Sequence, residues 1–573
     1  MKKLAVYLKG VRVQCVLAPL FKMFEAILEL FVPLVMASII DKGIAVSDKP
    51  YIFKMCALLI LLGAVGLAFS ITAQYFSARA SVGFAKRLRH ALFEHIGKLS
   101  FEQLDSAGTS TLITRLTSDA DSVQSGLNLT LRLLLRSPFV VVGAMIMAFT
   151  VDSRAAMTFA VVIPLLSIVV FGIMFFCIPL YKKVRLALDR VLCTARESLV
   201  GARVIRAFCK EEEQAKEFEQ RNDALTAIQE HTGRISALMN PVTFVIINLG
   251  IAALIYSGAL RVDAGIITQG AVVALYNYMS QILVELVKFA NLIINITKSV
   301  ACAGRISSVL EMPVESGEGT ASVNSECDNA VEFRNVSFAY AGAGDNSLEE
   351  ISFTAAKGET IGIIGSTGSG KTTLVNLIPA FYKASRGSVL VGGADVNEIP
   401  LAQLRSKIAV VPQKAVLFKG TIRENMLWGN PNASDGEIMK ALEIAQAADF
   451  VAEKQGGLDA EVEQGGRNFS GGQRQRLSVA RAIIKKADIL ILDDSSSALD
   501  YATDAAMRRA IAASQGDSVV FIVSQRTSSI MNADKIIVLD DGKAEIGTHE
   551  QLLASSAVYR EIHLSQFDGE ESA

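Results

Sequence analysis

Four stretches of this chain carry no charged side chain: Met55–Ala78, Ala155–Tyr181, Ile235–Leu260 and Ala264–Val284. A helix needs roughly 20 apolar residues to cross a hydrocarbon core of about 30 Å, and each run is that long. Within hydrocarbon the backbone must satisfy its own N–H and C=O groups, so a single chain segment crosses as a helix. A buried helix of a large water-soluble protein rarely stays uncharged for so long. Two weaker runs join them, one around 16–40 with Lys22, Glu25 and Glu29, the other around 127–151 with Arg132 and Arg136. The chain is therefore predicted to span a membrane six times, at about 16–40, 51–78, 127–151, 155–181, 235–260 and 264–297.

Lysine and arginine placement orients these spans. Segment 79–115 holds Arg79, Lys86, Arg87, Arg89, Lys98 and Arg115, and segment 182–210 holds eight such residues. The opposite connections are short and carry only Lys42, Lys49, Arg154 and Arg261. Basic loops stay cytoplasmic, so both long loops, the N-terminus and the C-terminal half are expected in the cytoplasm, with the chain in the cell membrane. Apolar spacing at Leu88, Leu92 and Ile96 predicts that the helices continue past the bilayer. Lys22, Glu25 and Glu29 share a helix face, as do Arg132 with Arg136 and Glu285 with Lys288. Charge inside a bilayer is expensive, and both pairing between helices and contact with a transported molecule fit the spacing. The seven scattered cysteines lack metal-site or disulfide spacing. A formal net charge of −1 supplies no field for nucleic acid.

Composition changes after Arg305. Residues 313–329 form a Gly/Ser/Glu-rich linker between a helical membrane domain, 1–312, and a soluble domain, 330–573, in which short apolar strands alternate with helices. That is an α/β pattern. Within it, Gly365-Ser366-Thr367-Gly368-Ser369-Gly370-Lys371-Thr372 follows the strand Thr360–Ile364 and opens a helix containing Thr373. The spacing matches a phosphate-binding loop in full: glycines let backbone N–H groups close on phosphate oxygens, Lys371 reaches the terminal phosphates, and the Thr372 hydroxyl can ligate Mg²⁺. A chance Gly/Ser turn would lack the strand before it and the helix after it. A second strand, Ile489–Leu492, ends at Asp493, which can hold Mg²⁺ through water. These residues predict a P-loop domain that binds a nucleotide with Mg²⁺, without yet fixing its class.

Asn468-Phe469-Ser470-Gly471-Gly472-Gln473 narrows the class. It resembles the signature motif, usually LSGGQ, of the ABC ATPase family, with Phe469 in the leucine position. In that family each nucleotide is sandwiched between the phosphate loop of one domain and the signature of a second. The resemblance extends over the whole chain. It implies that Tyr340 stacks on adenine, that Gln413 of Val411-Pro412-Gln413 is the Q-loop glutamine and an Mg²⁺ ligand, and that Ser497-Ala498-Leu499-Asp500 is the D-loop. Ser470 and the backbone of Gly471 and Gly472, with Gln473, would face a partner's γ-phosphate. Ser118-Asp119-Ala120-Asp121 and Gly201–Phe208 look like the intracellular loops of the exporter branch, in which six spans and an ATPase are fused. No peptidase-like extension is expected before the first span.

Two positions depart from the family. The catalytic glutamate expected after Asp493 is Asp494, and the switch histidine is Gln525. Asp494 sets its carboxylate one methylene closer to the backbone, and a misplacement of about 1 Å can cost on the order of a hundredfold in rate. Gln525 can hydrogen-bond a phosphate but cannot change charge. Glu461-Val462-Glu463-Gln464-Gly465-Gly466 also differs from the usual TEVGERG. Asp494 and Gln525 touch the same chemistry, and together these two resemble the degenerate half of a heterodimeric exporter, such as the bacterial multidrug pairs. Expected partners are a second half-transporter, membrane lipid and a small amphipathic substrate, drug or lipid. The alternatives are a homodimeric exporter with slow hydrolysis and an ATP-gated channel or regulator on the same scaffold. A soluble ABC ATPase is excluded by the six spans.

Overall fold

The runs Met55–Ala78, Ala155–Tyr181 and Ile235–Leu260 lie within much longer helical segments, whereas Ala264–Val284 enters its helix only at Gln269. The computed structural model describes residues 3–315, 319–323, 327–514 and 516–567. Six helical segments among them are long and apolar enough to cross a membrane: Arg12–Ile44, Lys49–Ile96, Thr109–Val151, Ser153–Val200, Glu211–Asp263 and Gln269–Leu310, here spans 1 to 6. Spans 2 and 4 are each 48 residues long, about 70 Å at 1.5 Å per residue and so over twice a hydrocarbon core. The extension is amphipathic: Leu88 and Leu92 are buried while Lys86 and Arg87 face solvent. Elsewhere Ile60, Ile168, Phe175 and Leu249 stand exposed along the spans, as a lipid-facing surface requires.

By chain contacts the protein divides into two compact units, Met1–Gly97 with Gly108–Met312, and Lys98–Ala107 with Pro313–Ala573. In the first, side-chain caps set the helix starts. Asp48 accepts from Tyr51 N at 3.1 Å to begin span 2, and Asp152 accepts from Ala155 N at 2.7 Å to begin span 4. Span 6 starts at Gln269, not at the expected Ala264. Gly265 takes φ +69°, which ends the preceding helix, and Thr268 then caps the next one through Ala271 N at 3.3 Å. Asp41 accepts from the Thr268 hydroxyl and from Gly270 N at 2.6 and 2.8 Å, tying the end of span 1 to the start of span 6.

Among the intramembrane charges, Arg136 pairs across helices with Glu29 and Glu285, while Lys22–Glu25 and Lys288–Glu285 pair within one helix. Arg136 donates to Glu285 and Glu29, both at 2.6 Å, and Ser137 donates to Glu285 at 2.9 Å. Lys22 donates to Glu25 and to Ser70, and Lys288 to Glu285. Spans 1, 3 and 6 are thus joined by one network around a nearly buried guanidinium, and paired charges are the form in which such groups persist in a bilayer. Close by, Phe159, Leu254, Leu275, Met279 and Ile282 form an apolar core, in which the Tyr278 hydroxyl donates to Leu30 O at 2.7 Å.

The second unit is built on strands β1 (Asn329–Phe338), β2 (Leu348–Ala356), β3 (Thr360–Gly365), β4 (Arg386–Val391), β5 (Ala394–Asp395), β6 (Ile408–Val411), β7 (Gly420–Thr421), β8 (Glu461–Val462), β9 (Ile489–Asp493), β10 (Val519–Val523), β11 (Lys535–Asp540) and β12 (Lys543–Gly547). They form a six-stranded sheet, β12-β11-β3-β10-β9-β6, a four-stranded one, β2-β1-β4-β5, and the small β7-β8 pair. The larger sheet is parallel apart from β12. Its central strands are continuous apolar runs such as Ile489-Leu490-Ile491-Leu492, as burial on both faces demands. Phe333, Phe353, Leu374, Ile491 and Phe521 belong to one core drawn from both large sheets, and a second core gathers Leu417, Met426, Phe450, Phe469 and Leu477.

Within the expected linker, 316–318 and 324–326 lie outside the described residues. The rest is held to the second unit rather than hanging free: Arg405 forks onto Glu315 at 2.8 and 2.9 Å, and Ala321 and Val323 pack against its core.

Candidate functional site

Four of the motifs singled out above follow four neighbouring strands. β3, β10, β9 and β6 lie side by side and parallel. The phosphate loop follows β3, Ser524 and Gln525 follow β10, Asp493 ends β9 with Asp494 after it, and Pro412-Gln413 follows β6. Parallel open sheets place ligands outside the carboxyl ends of their strands. The topology therefore assembles at one sheet edge residues that lie up to 160 positions apart in sequence.

The loop has a shape only glycine permits. Gly365 takes φ +156°, and a Cβ there would meet Leu539 O at 2.2 Å and the Ser369 hydroxyl at 2.6 Å. Gly370 takes φ +96°, with Ser347 O 2.6 Å from the place of its missing Cβ. Ser366, Thr367 and Gly368 face solvent. Lys371 folds back over the loop, its Nζ donating to Gly365 O at 2.9 Å and Ser366 O at 2.6 Å. Burial lowers the pKa of this ammonium, against the pull of the Asp494 and Asp493 carboxylates.

Thr372 Oγ1 donates to Asp493 Oδ1 at 3.0 Å. Burial raises the Asp493 pKa, and the neighbouring Asp494 charge adds to the rise, so Asp493 sits where a nearby cation would favour its charged form. Hydroxyl, carboxylate and amide oxygens are the hard donors that Mg²⁺ prefers. Thr372, Asp493 and Gln413 thus fit that ion chemically.

Asp494 is buried, with φ +47°; its N–H donates to Val523 O at 3.0 Å, and its Oδ2 accepts from Gln413 Nε2 at 3.1 Å. Gln525 exposes its side chain, while its carbonyl accepts from Gln566 at 2.8 Å. Tyr340 is 38% exposed, enough to offer part of its ring. Its hydroxyl shares a hydrogen bond with the Thr373 hydroxyl at 2.9 Å, and the rings of Phe338 and Tyr382 meet it edge-on at 4.9 and 5.3 Å.

The signature residues stand apart. Among the described residues no hydrogen bond joins Ser470–Gln473 to the phosphate loop. Ser470 caps the helix Gly471–Ile483 in a reciprocal box: it accepts from Gln473 N at 3.2 Å, and its own N–H donates to the Gln473 side chain at 3.0 Å. Gly472 packs so close to the D-loop that a Cβ would lie 2.9 Å from Ala498 O. Ser470 and Gly471 are exposed, leaving first-turn N–H groups outward-facing. Beyond Gln413, exposed Trp428 stacks flat on Phe418, centroids 4.3 Å apart, with Arg481 over the Phe418 ring.

Sequence reading missed Tyr382, whose ring abuts Tyr340, and Asp105, which accepts the Tyr382 hydroxyl at 2.5 Å. The aromatic pair Phe381-Tyr382, set among Ala, Lys and Ser, was the available signal. Nothing local marks Asp105.

Residues 15–286 match the family described as ABC transporter transmembrane region, and residues 348–497 match the family described as ABC transporter. The ABC transporter ATP-binding protein Rv1273c of Mycobacterium tuberculosis (strain ATCC 25618 / H37Rv) is 37% identical over 555 residues, covering 96% of this chain and 95% of its own. YfiB of Bacillus subtilis (strain 168), also an ABC transporter ATP-binding protein by description, is 35% identical over 574 residues and 100% of both chains. An ATP-dependent lipid A-core flippase of Syntrophus aciditrophicus (strain SB) is 32% identical over 84% of this chain and 80% of its own. Among solved structures, that of a bacterial Atm1-family ABC exporter with ATP bound aligns with a TM-score of 0.80 over 99% of each chain. At 22% identity that likeness speaks to the fold.

Proposed function

Because the chain belongs to the ABC transporter family, as an ATP-hydrolysing multi-pass exporter with membrane and ATPase halves fused, we propose that it is the slow-site half of a two-chain pump. In this reading it lies in the cell membrane with its ATPase unit in the cytoplasm, and it moves amphipathic molecules, drugs or lipids, outward. The lipid A-core flippases among its relatives favour a lipid-like cargo.

The observation that carries the reading is the contrast between two parts of the ATPase unit. Ser470 and Gly471 are helix-capped, exposed and ready to face a partner's nucleotide. Asp494 is short, buried and engaged by Gln413, and Gln525 replaces a residue that could change charge. In this chain's own site Lys371 and the loop N–H groups hold the phosphates, Tyr340 stacks on the base, and Thr372, Asp493 and Gln413 hold Mg²⁺. The ion, when bound, offsets negative charge on the phosphate oxygens. Asp494 then orients water poorly, so nucleotide stays bound over many turnovers and this site serves as a hinge. Ser470, Gly471 and Gly472 complete the partner's site, where hydrolysis is fast.

The test is steady-state ATPase of the reconstituted complex. Asp494→Ala should leave activity within about twofold, whereas loss of the partner's base should reduce it on the order of a thousandfold, as for removal of one essential catalytic group. Ser470→Arg should also be severe, since it disrupts the fast site from across the interface. Fast turnover by this chain alone, or an Asp494→Ala effect equal to loss of the partner's base, would overturn the reading in favour of a symmetric homodimer.

A further inference from the structure

Residues 98–107 group with the ATPase unit although in sequence they join span 2 to span 3. Their helix, Phe101–Ala107, is held by aromatic contacts. Phe101 packs on Phe381, centroids 4.3 Å apart, and Arg405 lies 5.2 Å from the Phe381 ring centroid while forked onto Glu315. Glu315 N in turn donates to Lys98 O at 2.9 Å. The next residue, Tyr382, faces two ways. Its ring meets Tyr340 edge-on at 5.3 Å and an interplanar angle of 81°, and its hydroxyl donates to Asp105 Oδ2 at 2.5 Å. Phe338 closes the set, 4.9 Å from Tyr340 and 5.7 Å from Tyr382.

We infer that Tyr382 is a positioning residue for nucleotide binding: its ring fixes the plane of Tyr340, and its hydroxyl couples occupation of that plane by a purine to the seating of helix Phe101–Ala107 on the ATPase unit. This rests on Tyr340 being the base platform. A T-shaped contact constrains the tilt of both rings. The charge-assisted hydrogen bond to Asp105 is the stronger kind and holds one orientation of Tyr382. Burial and the Asp105 carboxylate together push the Tyr382 phenol well above its usual range, so it stays a donor throughout the physiological range. A purine stacked on Tyr340 selects the tilt that the Asp105 bond also selects. The two events then favour each other by the same factor, as linkage requires. Tyr340 is also tied to Thr373 beside the phosphate loop, whereas among the described residues Tyr382 and Asp105 hydrogen-bond each other and not that loop, so the coupling that runs through Tyr382 belongs to the base.

The experiment uses the full complex in nanodiscs, with photolabelling of this chain by trace azido-ATP. Competing ligands are ATP, which carries a base, and inorganic tripolyphosphate, which does not. For Tyr382→Phe and Asp105→Asn, about three- to tenfold more ATP should be needed to compete, the worth of one hydrogen bond. The tripolyphosphate requirement should not change, and the double variant should be no worse than either single one. Hydrogen exchange in peptide 98–107 should slow on adding ATP but not tripolyphosphate, and that slowing should vanish in Tyr382→Phe. Equal loss for both ligands would mean a general structural role and would overturn the inference. So would a weakened Tyr340→Ala beside unaltered Tyr382→Phe and Asp105→Asn. If Tyr340→Ala itself binds ATP normally, the base-platform reading fails first.

Discussion

Asp494 takes a left-handed backbone conformation, φ +47°, while its carboxylate accepts a 3.1 Å hydrogen bond from the Gln413 amide. Aspartate tolerates that conformation better than most residues, because its short polar chain can bond locally. The glutamate of the family pattern would keep the charge but lose that accommodation. Asp494→Glu alone should therefore leave single-turnover hydrolysis at this chain's site within about threefold. Combined with Gln525→His it should give a more than additive gain, about tenfold or greater, as groups acting on one centre do. In the proposed two-chain pump the measurement needs the partner's base removed, so that only this site is read. Full gain from Asp494→Glu alone would contradict the coupling.

Nucleotide binding separates into two contributions. Lys371→Ala removes the one buried ammonium over the loop and should nearly abolish photolabelling of this chain. Tyr340→Ala should weaken labelling less, since stacking on one aromatic is worth about 1–3 kcal/mol. Unchanged labelling of Lys371→Ala would place the nucleotide elsewhere.

Membrane orientation can be read with single cysteines, once the native ones are replaced. Ser153 and Asp263 are exposed at the ends of spans 4 and 5. A cysteine at either should react with an impermeant thiol reagent outside intact cells. One at Ser106 should react only after permeabilisation, and its labelling from outside would reverse the topology.

Asp152 works twice, as the cap of span 4 and as partner of Arg261, whose guanidinium donates to it at 2.5 and 3.2 Å. Asp152→Ala should lose about 1 kcal/mol for the cap and more for the stranded guanidinium, lowering the melting temperature by several degrees. Burial pushes this carboxyl up, but the Ala155 amide and Arg261 more than offset it and hold it below the usual range. A depressed folded pKa contributes stability that is full above the unfolded value, about 3.9, and is lost as pH falls through the folded value. Asp152→Asn should accordingly show a shallower loss of melting temperature below about pH 4 than the native protein. An identical acid limb would contradict it.

The spans and the phosphate loop were legible because each depends on local sequence: an uncharged run for one, glycines at fixed spacing for the other. Span 6 began later than its uncharged run because Gly265 and Thr268 govern the helix end, which hydropathy does not sense. Lys22, Glu25 and Glu29 were visible as a helix face, and Lys22 does meet Glu25 along it, but the partner of Glu29 was not visible, since Arg136 arrives from a distant segment. The same distance hid Asp105. The conformation of Asp494 could not be read either, because a left-handed aspartate leaves no mark on its neighbours.

Trp428 is the chain's sole tryptophan, 66% exposed and lying flat against Phe418. Indole fluorescence from this polypeptide therefore comes from a single address, between Gln413 and the signature in sequence. Sliding or parting of the two rings would change emission wavelength and lifetime at that one point. The polypeptide thus carries an intrinsic optical probe of that one ring contact, readable without attaching a dye.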